Sequence, residues 1–315
     1  MVVDLNASPA DFRDSAFMAI HRVMSEDQRA IFLSNDLGAK GLDQIRSDFG
    51  GRVINTGISE QNAVSLAAGL AMEDRQTFIY GIAAHISTRA YEQIRLDVVA
   101  NKLPVCMLAM GGGFSYGNDG LTHLSTHDIG IMRAIPGLTV FNPSDGPSLE
   151  GSVVRAWRNG GPAYIRIDKE RVPALYKEGL DYSAGWSMLR NGNDVCIIST
   201  GVLVHRALSV AESLAVEGIS VGVIDLYRPL PFPDDAISGA GSVACLVSLE
   251  EQGCGGIGTM IGEKLTDRGG DVNFIRLGLP DEIPLGSATR GWAHNRYGLN
   301  KVDIENSIRN SFGGS

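Results

Sequence analysis

The sequence predicts an α/β protein of two consecutive domains with mostly parallel sheets. Short apolar runs alternate with longer stretches of helical periodicity along the whole chain, which is the pattern of a parallel sheet covered by helices. The length of 315 residues is about twice that of a typical domain. A stretch over 177–193 that is rich in Gly, Asp, Ser and Asn separates the halves, so we place the domains at 1–180 and 190–315.

In the first half, apolar runs predict strands over 30–34, 52–55, 77–80, 105–110, 139–142 and 163–167. Helices are predicted over 10–25, 60–72, 88–100, 126–134 and 148–159. In the helix over 88–100, Ala90, Ile94 and Val98 recur at every fourth position and form one face for the core. The run over 125–128, Ser-Thr-His-Asp, is typical of a capping box.

The segment over 63–72 is apolar almost all round, so it must be covered on every side. Its small residues, among them Ala63, Ala67 and Ala71, allow a second helix to come close. Burial within the domain and burial at a subunit interface both fit this pattern.

In the second half, strands are predicted over 195–199, 221–226, 244–248 and 273–277, with a last helix over 302–310. The run Gly253-Cys-Gly-Gly-Ile-Gly258 matches a dinucleotide-binding pattern. In that motif the first glycine stands at the end of the strand, whereas here Glu250, Glu251 and Gln252 intervene. We therefore expect a glycine-rich turn that packs a helix close to the sheet.

Composition excludes several classes of protein. The net charge is −9 and no run of Lys and Arg occurs, so no nucleic-acid partner is expected. No apolar stretch is long enough to span a bilayer, and the N-terminus lacks the basic and apolar regions of a signal peptide. The four cysteines have no metal-ligand spacing. We expect a cytoplasmic protein with reduced, buried thiols and no membrane partner.

Three segments are candidates for chemistry. Glu60 lies where a predicted strand gives way to the apolar helix, Asp119 and His123 share a loop after a glycine run, and His85 follows another strand. Ligands of parallel sheets bind at the carboxyl ends of the strands, although a first-turn acid or a polar turn also explains these residues. Hydrolase and phosphotransferase motifs are absent from the sequence.

Five motifs together carry a family resemblance. The chain resembles the pyrimidine-binding and C-terminal domains of the transketolase family, as found in split, two-gene versions, and the similarity covers essentially the whole chain. The matching segments lie, in the family's order, over 57–62, 89–95, 119–123, 135–145 and 161–166.

This resemblance implies a thiamine diphosphate-binding fold followed by a transketolase C-terminal-like domain. It implies a transferase that moves a two-carbon ketol unit from a ketose to an aldose. The glutamate at the Glu60 position in the family hydrogen-bonds the aminopyrimidine ring of thiamine diphosphate and drives formation of its imino tautomer. This role requires a carboxyl group that can share a proton.

Further cofactor contacts follow from the resemblance at Ile58 and Leu37. The aromatic side chain that stacks on the aminopyrimidine in the family is replaced by His85, or by Ile82 or Ile86 if the alignment shifts. An imidazole can still stack, with a smaller apolar face.

The resemblance also implies a substrate site. Asp119 and His123 match the contacts to substrate hydroxyls, and Arg13 matches an arginine that reaches the substrate tail. Lys169 replaces a phosphate-binding arginine and Lys40 falls near a serine of the family. The histidine that contacts phosphate in the family is absent from this sequence, and a lysine cannot form the bidentate hydrogen bonds to phosphate that an arginine forms. We therefore expect sugar or sugar-phosphate substrates with a weak preference for phosphate.

The family holds the cofactor's diphosphate and its Mg²⁺ (or Ca²⁺) on a separate N-terminal domain, through a Gly-Asp-Gly motif. That motif does not occur in this sequence. We expect an N-terminal, diphosphate-binding transketolase subunit as partner, a homodimer core of this chain and an α2β2 assembly. The lone chain is expected to be inactive.

Three alternatives remain open: the β subunit of a 2-oxoacid dehydrogenase E1 component, a deoxyxylulose-phosphate-synthase-like fragment and a non-catalytic scaffold. The Asp119–His123 loop favours transketolase because a polyol substrate needs such polar groups and a short oxoacid does not. Release of carbon dioxide would separate oxoacid from ketose chemistry.

Overall fold

A computed structural model describes residues 10–177, 179, 181–269, 272–285 and 289–312. In the first unit the strands are β1 Ala10–Asp11, β2 Ala30–Ser34, β3 Val53–Asn55, β4 Gln76–Ile82, β5 Val105–Met110, β6 Thr139–Phe141, β7 Ala163–Ile167 and β8 Arg171–Val172. Its helices are α1 Phe12–Glu26, α2 Lys40–Phe49, α3 Glu60–Met72, α4 Ala83–Arg89, α5 Tyr91–Gln93, α6 Asp128–Arg133 and α7 Gly146–Asn159. Short 3-10 turns are Gly50–Arg52, Gly117–Asp119 and Leu121–His123, and Ile94–Val99 is π-helical.

The second unit has the strands β9 Ser187–Arg190, β10 Val195–Ser199, β11 Val221–Asp225, β12 Cys245–Leu249 and β13 Asn273–Leu277. Its helices are α8 Leu203–Val216, α9 Asp235–Gly239, α10 Ile257–Arg268, α11 Arg290–Arg296 and α12 Lys301–Phe312. No described helix is both long and apolar enough to cross a membrane.

Two sheets organise the chain. The first has the order β3-β2-β4-β5-β7-β6 and is parallel throughout. The second has the order β13-β12-β10-β11-β9, in which only β9 is antiparallel among the described strands. The predicted α/β class with mostly parallel sheets is confirmed.

The cores lie on both faces of each sheet. Along β2, Phe32 joins one buried cluster while Ile31 and Leu33 join the cluster on the opposite face. Side chains alternate across a strand, so a strand buried on both faces must be apolar at every position, as the uninterrupted apolar runs predict.

Two local predictions need correction. The predicted helix over 88–100 begins earlier, at Ala83, and is interrupted before the π-helical segment, although Ala90, Ile94 and Val98 are buried as predicted. The predicted capping box over 125–128 is wrong. The Asp128 carboxylate instead accepts hydrogen bonds from Arg166 Nε at 2.8 Å and from the Tyr164 hydroxyl at 2.9 Å.

The glycine motif of the second unit forms a turn, as predicted. Glu250 accepts hydrogen bonds from the amides of Ile257 and Gly258 at 2.8 and 2.7 Å. The chain's own carboxylate therefore occupies the start of α10, where a dinucleotide fold binds pyrophosphate. A Cβ at Gly256 would collide with that carboxylate, which explains the glycine there.

Three cysteines, Cys106, Cys196 and Cys245, are buried and free. Cys254 is free but exposed, contrary to the expectation that all thiols are buried. It lies in the glycine-rich turn before α10 rather than in a strand.

Candidate active site

The predicted site residues gather at the carboxyl edge of the first sheet. Glu60 follows β3, His85 follows β4, Asp119 and His123 follow β5, and Lys169 follows β7. Connections leave β2 and β4 on opposite sides of this sheet. Such a change of direction opens the crevice in which open α/β sheets bind ligands.

Glu60 begins helix α3 and is buried, with a side-chain exposure of 5%. Arg89 Nη1 donates to both carboxylate oxygens, at 3.2 Å to Oε1 and 3.1 Å to Oε2. The Arg89 side chain is 48% exposed, so it reaches the buried carboxylate from the solvent side.

His85 lies beside Glu60. Its Nδ1 is 3.4 Å from Glu60 Oε1, and its Nε2 donates to the Thr122 carbonyl at 3.1 Å. A carbonyl only accepts, so Nε2 carries the proton and Nδ1 of the neutral ring is a free acceptor. Glu60 and His85 can therefore hold one additional proton between them.

Side chains continue from Glu60 in a row along the edge. The rings of His85 and His123 have centroids 5.2 Å apart, those of His123 and Tyr116 are 5.9 Å apart, and Lys169 Nζ lies 5.0 Å from the Tyr116 centroid. We call these five residues, Glu60 to Lys169, the edge row. It begins at a buried carboxylate and ends at an exposed ammonium group.

Asp119 is exposed on the loop that carries Tyr116 and His123. Strand β1, just before Arg13, pairs with β8, just after the Lys169 loop, and this pairing brings Arg13 near the far end of the edge row. Its guanidinium donates to Asp11 at 3.0 Å, and this partner raises the pKa of Arg13.

Ile58, Leu37 and Lys40 lie on neighbouring loops of the same edge, outside the edge row. Ile58 is 75% exposed in the turn before α3. Leu37 packs against the core and Lys40 is exposed at the start of α2. Between them, Asn35 Oδ1 is buried without a hydrogen-bond partner.

These features fit a heteroaromatic ring with nitrogen donors and acceptors. The buried carboxylate of Glu60 and the unpartnered Asn35 oxygen offer polar contacts, while exposed Ile58 offers apolar surface. Among the candidates for the stacking position, Ile86 is fully buried and Ile82 half-buried, whereas His85 adjoins Glu60.

A metal site is not formed by the described residues, since none of their His, Cys, Asp and Glu side chains makes a group of three that could hold an ion.

Sequence reasoning missed Arg89 and Tyr116 as site residues. In the sequence Arg89 stands out only as part of a family motif, and its side chain reaches Glu60 across 29 residues of sequence. Tyr116 follows the glycine run, and an aromatic residue beside glycines in a strand-end loop is a usable signal of a ligand contact.

Comparison with known proteins identifies the family to which the chain belongs. Residues 8–174 match the transketolase pyrimidine-binding domain and residues 184–304 match the transketolase C-terminal domain. The fold and both matches define a transketolase-type domain pair, and the chain belongs to the transketolase family.

Two relatives extend over most of the chain. It is 32% identical over 299 residues to a 6-deoxy-6-sulfo-D-fructose transketolase subunit of Clostridium sp. (strain MSTE9), covering 93% of this chain and 91% of that subunit. It is 30% identical over 285 residues to an apulose-4-phosphate transketolase subunit of Phocaeicola vulgatus, covering 89% of this chain and 90% of that subunit.

Among solved structures, a split gene transketolase described as an inactive β4 tetramer matches with a TM-score of 0.87 and 26% identity, over 96% of this chain and 98% of that one. The chain is therefore a transferase subunit of the transketolase type.

The arrangement around His85 predicts how its pKa responds to its neighbours. Burial lowers the pKa of His85, the Arg89 charge lowers it further, and Glu60 raises it. We expect Arg89→Gln to raise the pKa of His85 and Glu60→Gln to lower it, measured by NMR titration of the imidazole. Equal pKa values in both variants and the parent chain would contradict this geometry.

Proposed function

We propose that this chain is the pyrimidine-binding and C-terminal subunit of a split, thiamine diphosphate-dependent transketolase, with domains at 1–180 and 190–315. The observation that carries the proposal is the position of Glu60. It is a buried carboxylate at the head of the edge row, on the strand-end edge where ligands of this fold class bind.

Glu60 exchanges a proton with the ring of the cofactor in this proposal. Thiamine diphosphate, when bound, would supply the carbanion chemistry needed to cleave a ketose. Glu60 donates and accepts the proton at an aminopyrimidine nitrogen. The Arg89 side chain is half exposed, so it can leave the carboxylate when the ring binds. His85 lies against the same position and offers its imidazole face, while Ile58 and Leu37 supply apolar contact.

Replacing Glu60 by glutamine tests this assignment. The amide cannot exchange the proton, so in the complex with the partner subunit cleavage of a ketose donor should fall by about 10²–10⁴, while the melting temperature changes little. Glu212→Gln, at an exposed position on α8, is the matched control and should keep full turnover. Near-normal donor cleavage in Glu60→Gln would exclude Glu60 from proton transfer.

Asp119 and His123 are proposed to contact substrate hydroxyls. His123 adjoins His85 in the edge row, and Asp119 is exposed on the same loop. Hydroxyl groups need donors and acceptors of this kind, which a purely apolar substrate would leave unpaired.

Alanine at Asp119 or His123 should raise the KM for the ketose or lower kcat/KM by about tenfold or more, because each change removes a polar contact of about 1.4 kcal/mol or more. The affinity for thiamine diphosphate should stay the same. Leu121→Ala, an exposed apolar change in the same loop, is the control. A loss of cofactor affinity with unchanged substrate kinetics would reverse the assigned roles.

The far end of the edge row is proposed to meet the substrate tail. Lys169 and Arg13 bring positive charge there, and Lys40 stands on a neighbouring loop. The two relatives named for sulfonated and phosphorylated sugars support an anionic tail group. A lysine offers one point charge, whereas an arginine guanidinium can form two parallel hydrogen bonds to phosphate. We therefore still predict only a weak preference for phosphorylated over free sugars.

A partner subunit is proposed to hold the diphosphate and its Mg²⁺. One face of α3 packs on the sheet through Ala63, Val64 and Ala67, while Leu66 and Met72 are 37% and 60% exposed. The chain itself thus covers only one side of this apolar helix. The relative described as an inactive β4 tetramer supports a homodimer core and an α2β2 enzyme completed by a diphosphate-binding subunit.

The purified chain should therefore bind thiamine diphosphate weakly and turn over no ketose until the partner is added. Calorimetric titration with the cofactor and Mg²⁺, followed by a donor-cleavage assay with and without the partner subunit, measures both quantities. Full activity of the lone chain would refute the division of the site.

A further inference from the structure

The loop over 113–125 is closed at its base. Gly113 and Ser125 pair through backbone hydrogen bonds of 3.0 and 3.2 Å. Asp119 and His123 lie between these residues. The conformation of the whole loop therefore depends on what fixes its two ends.

Glu251 of the second unit fixes the beginning of the loop. Its Oε2 accepts a hydrogen bond from the Phe114 amide at 3.2 Å. The Phe114 side chain is 1% exposed and packs in one apolar cluster with Leu124, Ala293 and Tyr297. Both a charge-assisted hydrogen bond and apolar packing thus reach the loop from the second unit.

The carboxylate of Glu251 is itself held firmly. His294 Nε2 lies 2.5 Å and Arg290 Nε 2.8 Å from its Oε1. Burial alone would raise the pKa of Glu251, but the Arg290 charge and the His294 hydrogen bond outweigh it and lower that pKa. Glu251 is therefore a fixed anion at neutral pH.

The end of the loop is fixed by Gln252, the residue that follows Glu251 in the sequence. Gln252 Nε2 donates to the Ser125 carbonyl at 3.0 Å, and Arg166 Nη2 donates to the same oxygen at 3.1 Å. In the second sheet, connections leave β10 and β12 in opposite directions. The crevice between them, where a ligand would be expected, faces the first unit instead.

We propose that Glu251 is a positioning residue, by which the second unit holds the loop over 113–125 so that His123 keeps its place beside His85 and Asp119 keeps its place on the same loop. The inference rests on the proposed substrate role of that loop. It assigns the second unit a part in substrate binding.

Glu250 provides a matched control. It is adjacent in sequence, follows the same strand and is equally buried, at 3% against 7% exposure. Its carboxylate caps α10 within its own unit and does not hydrogen-bond to the loop. Glu250→Gln and Glu251→Gln each replace a buried carboxyl group by an amide. Glu251 uses both of its oxygens, one toward the Phe114 amide and one toward His294, and an amide keeps only one acceptor, so only the second variant weakens the contact that holds the loop.

Two measurements on these variants test the proposal. Hydrogen exchange of the peptide over 112–125 in the purified chain should accelerate at least about tenfold in Glu251→Gln and stay unchanged in Glu250→Gln. In the complex with the partner subunit, kcat/KM for the ketose should fall by about 10- to 100-fold in Glu251→Gln, mainly through KM, with unchanged thiamine diphosphate affinity. If Glu251→Gln does not fold, Tyr297→Leu, at a half-buried position that stacks on Phe114, should give the same two changes.

The outcomes separate the two hypotheses. Unchanged loop exchange in the folded variant would overturn the positioning role, whatever the kinetics. Faster exchange with unchanged kinetics would overturn the functional part of the inference. In that case, if Asp119→Ala is also without effect, the proposed substrate role of the loop is what has failed.

Discussion

The polar junction between the two units determines the architecture of this chain. It combines the buried Arg166–Asp128 ion pair of the first unit with Arg290 of the second unit, which pairs both with Glu251 of its own unit and with Asp168 of the first. A buried charge is tolerated only when its partner and its hydrogen bonds are in place. Arg290 of the second unit pairs with Asp168 of the first at 2.6 Å, and Gln252 donates to Asp128 at 3.0 Å, so the two units cannot separate without breaking an ion pair and a buried hydrogen bond. The loop that carries Asp119 and His123 takes its shape from this junction.

Parallel strands explain why the candidate site lies next to the junction. Every strand of the first sheet delivers its following loop to the same edge, so residues distant in sequence meet there. The loop after β5 supplies His123 to the edge row and Phe114 to the junction, while strand β7 supplies Arg166 to the junction and the loop after it supplies Lys169 to the edge row. The junction and the edge row therefore depend on the same short segments.

Sequence patterns predicted the strands well because a strand buried on both faces is apolar at every position, as in the exact match over 105–110. Helix α2 was missed because only Leu42 and Ile45 are buried among its ten residues, which leaves little periodic signal. Glu60 could be placed from its position at a strand end and from the family motif. The contact of Phe114 with Glu251 spans 137 positions, and no local pattern encodes a partner at that distance.

The pairing of Glu60 with Arg89 follows from the burial of a carboxylate at the start of α3, a helix that this chain covers on one side only. A buried anion needs a compensating donor, and in this chain the donor comes from a side chain that is 48% exposed. Because the Arg89 side chain is half exposed, water can replace the contacts of its guanidinium when the side chain leaves the carboxylate. The carboxylate of Glu60 is thus paired with a donor that a ring with its own hydrogen-bonding nitrogens can displace. The apolar face of α3, covered on one side only, lies on the same helix. Completion of that face by another subunit would exclude water from Glu60 and strengthen every polar contact the carboxylate makes.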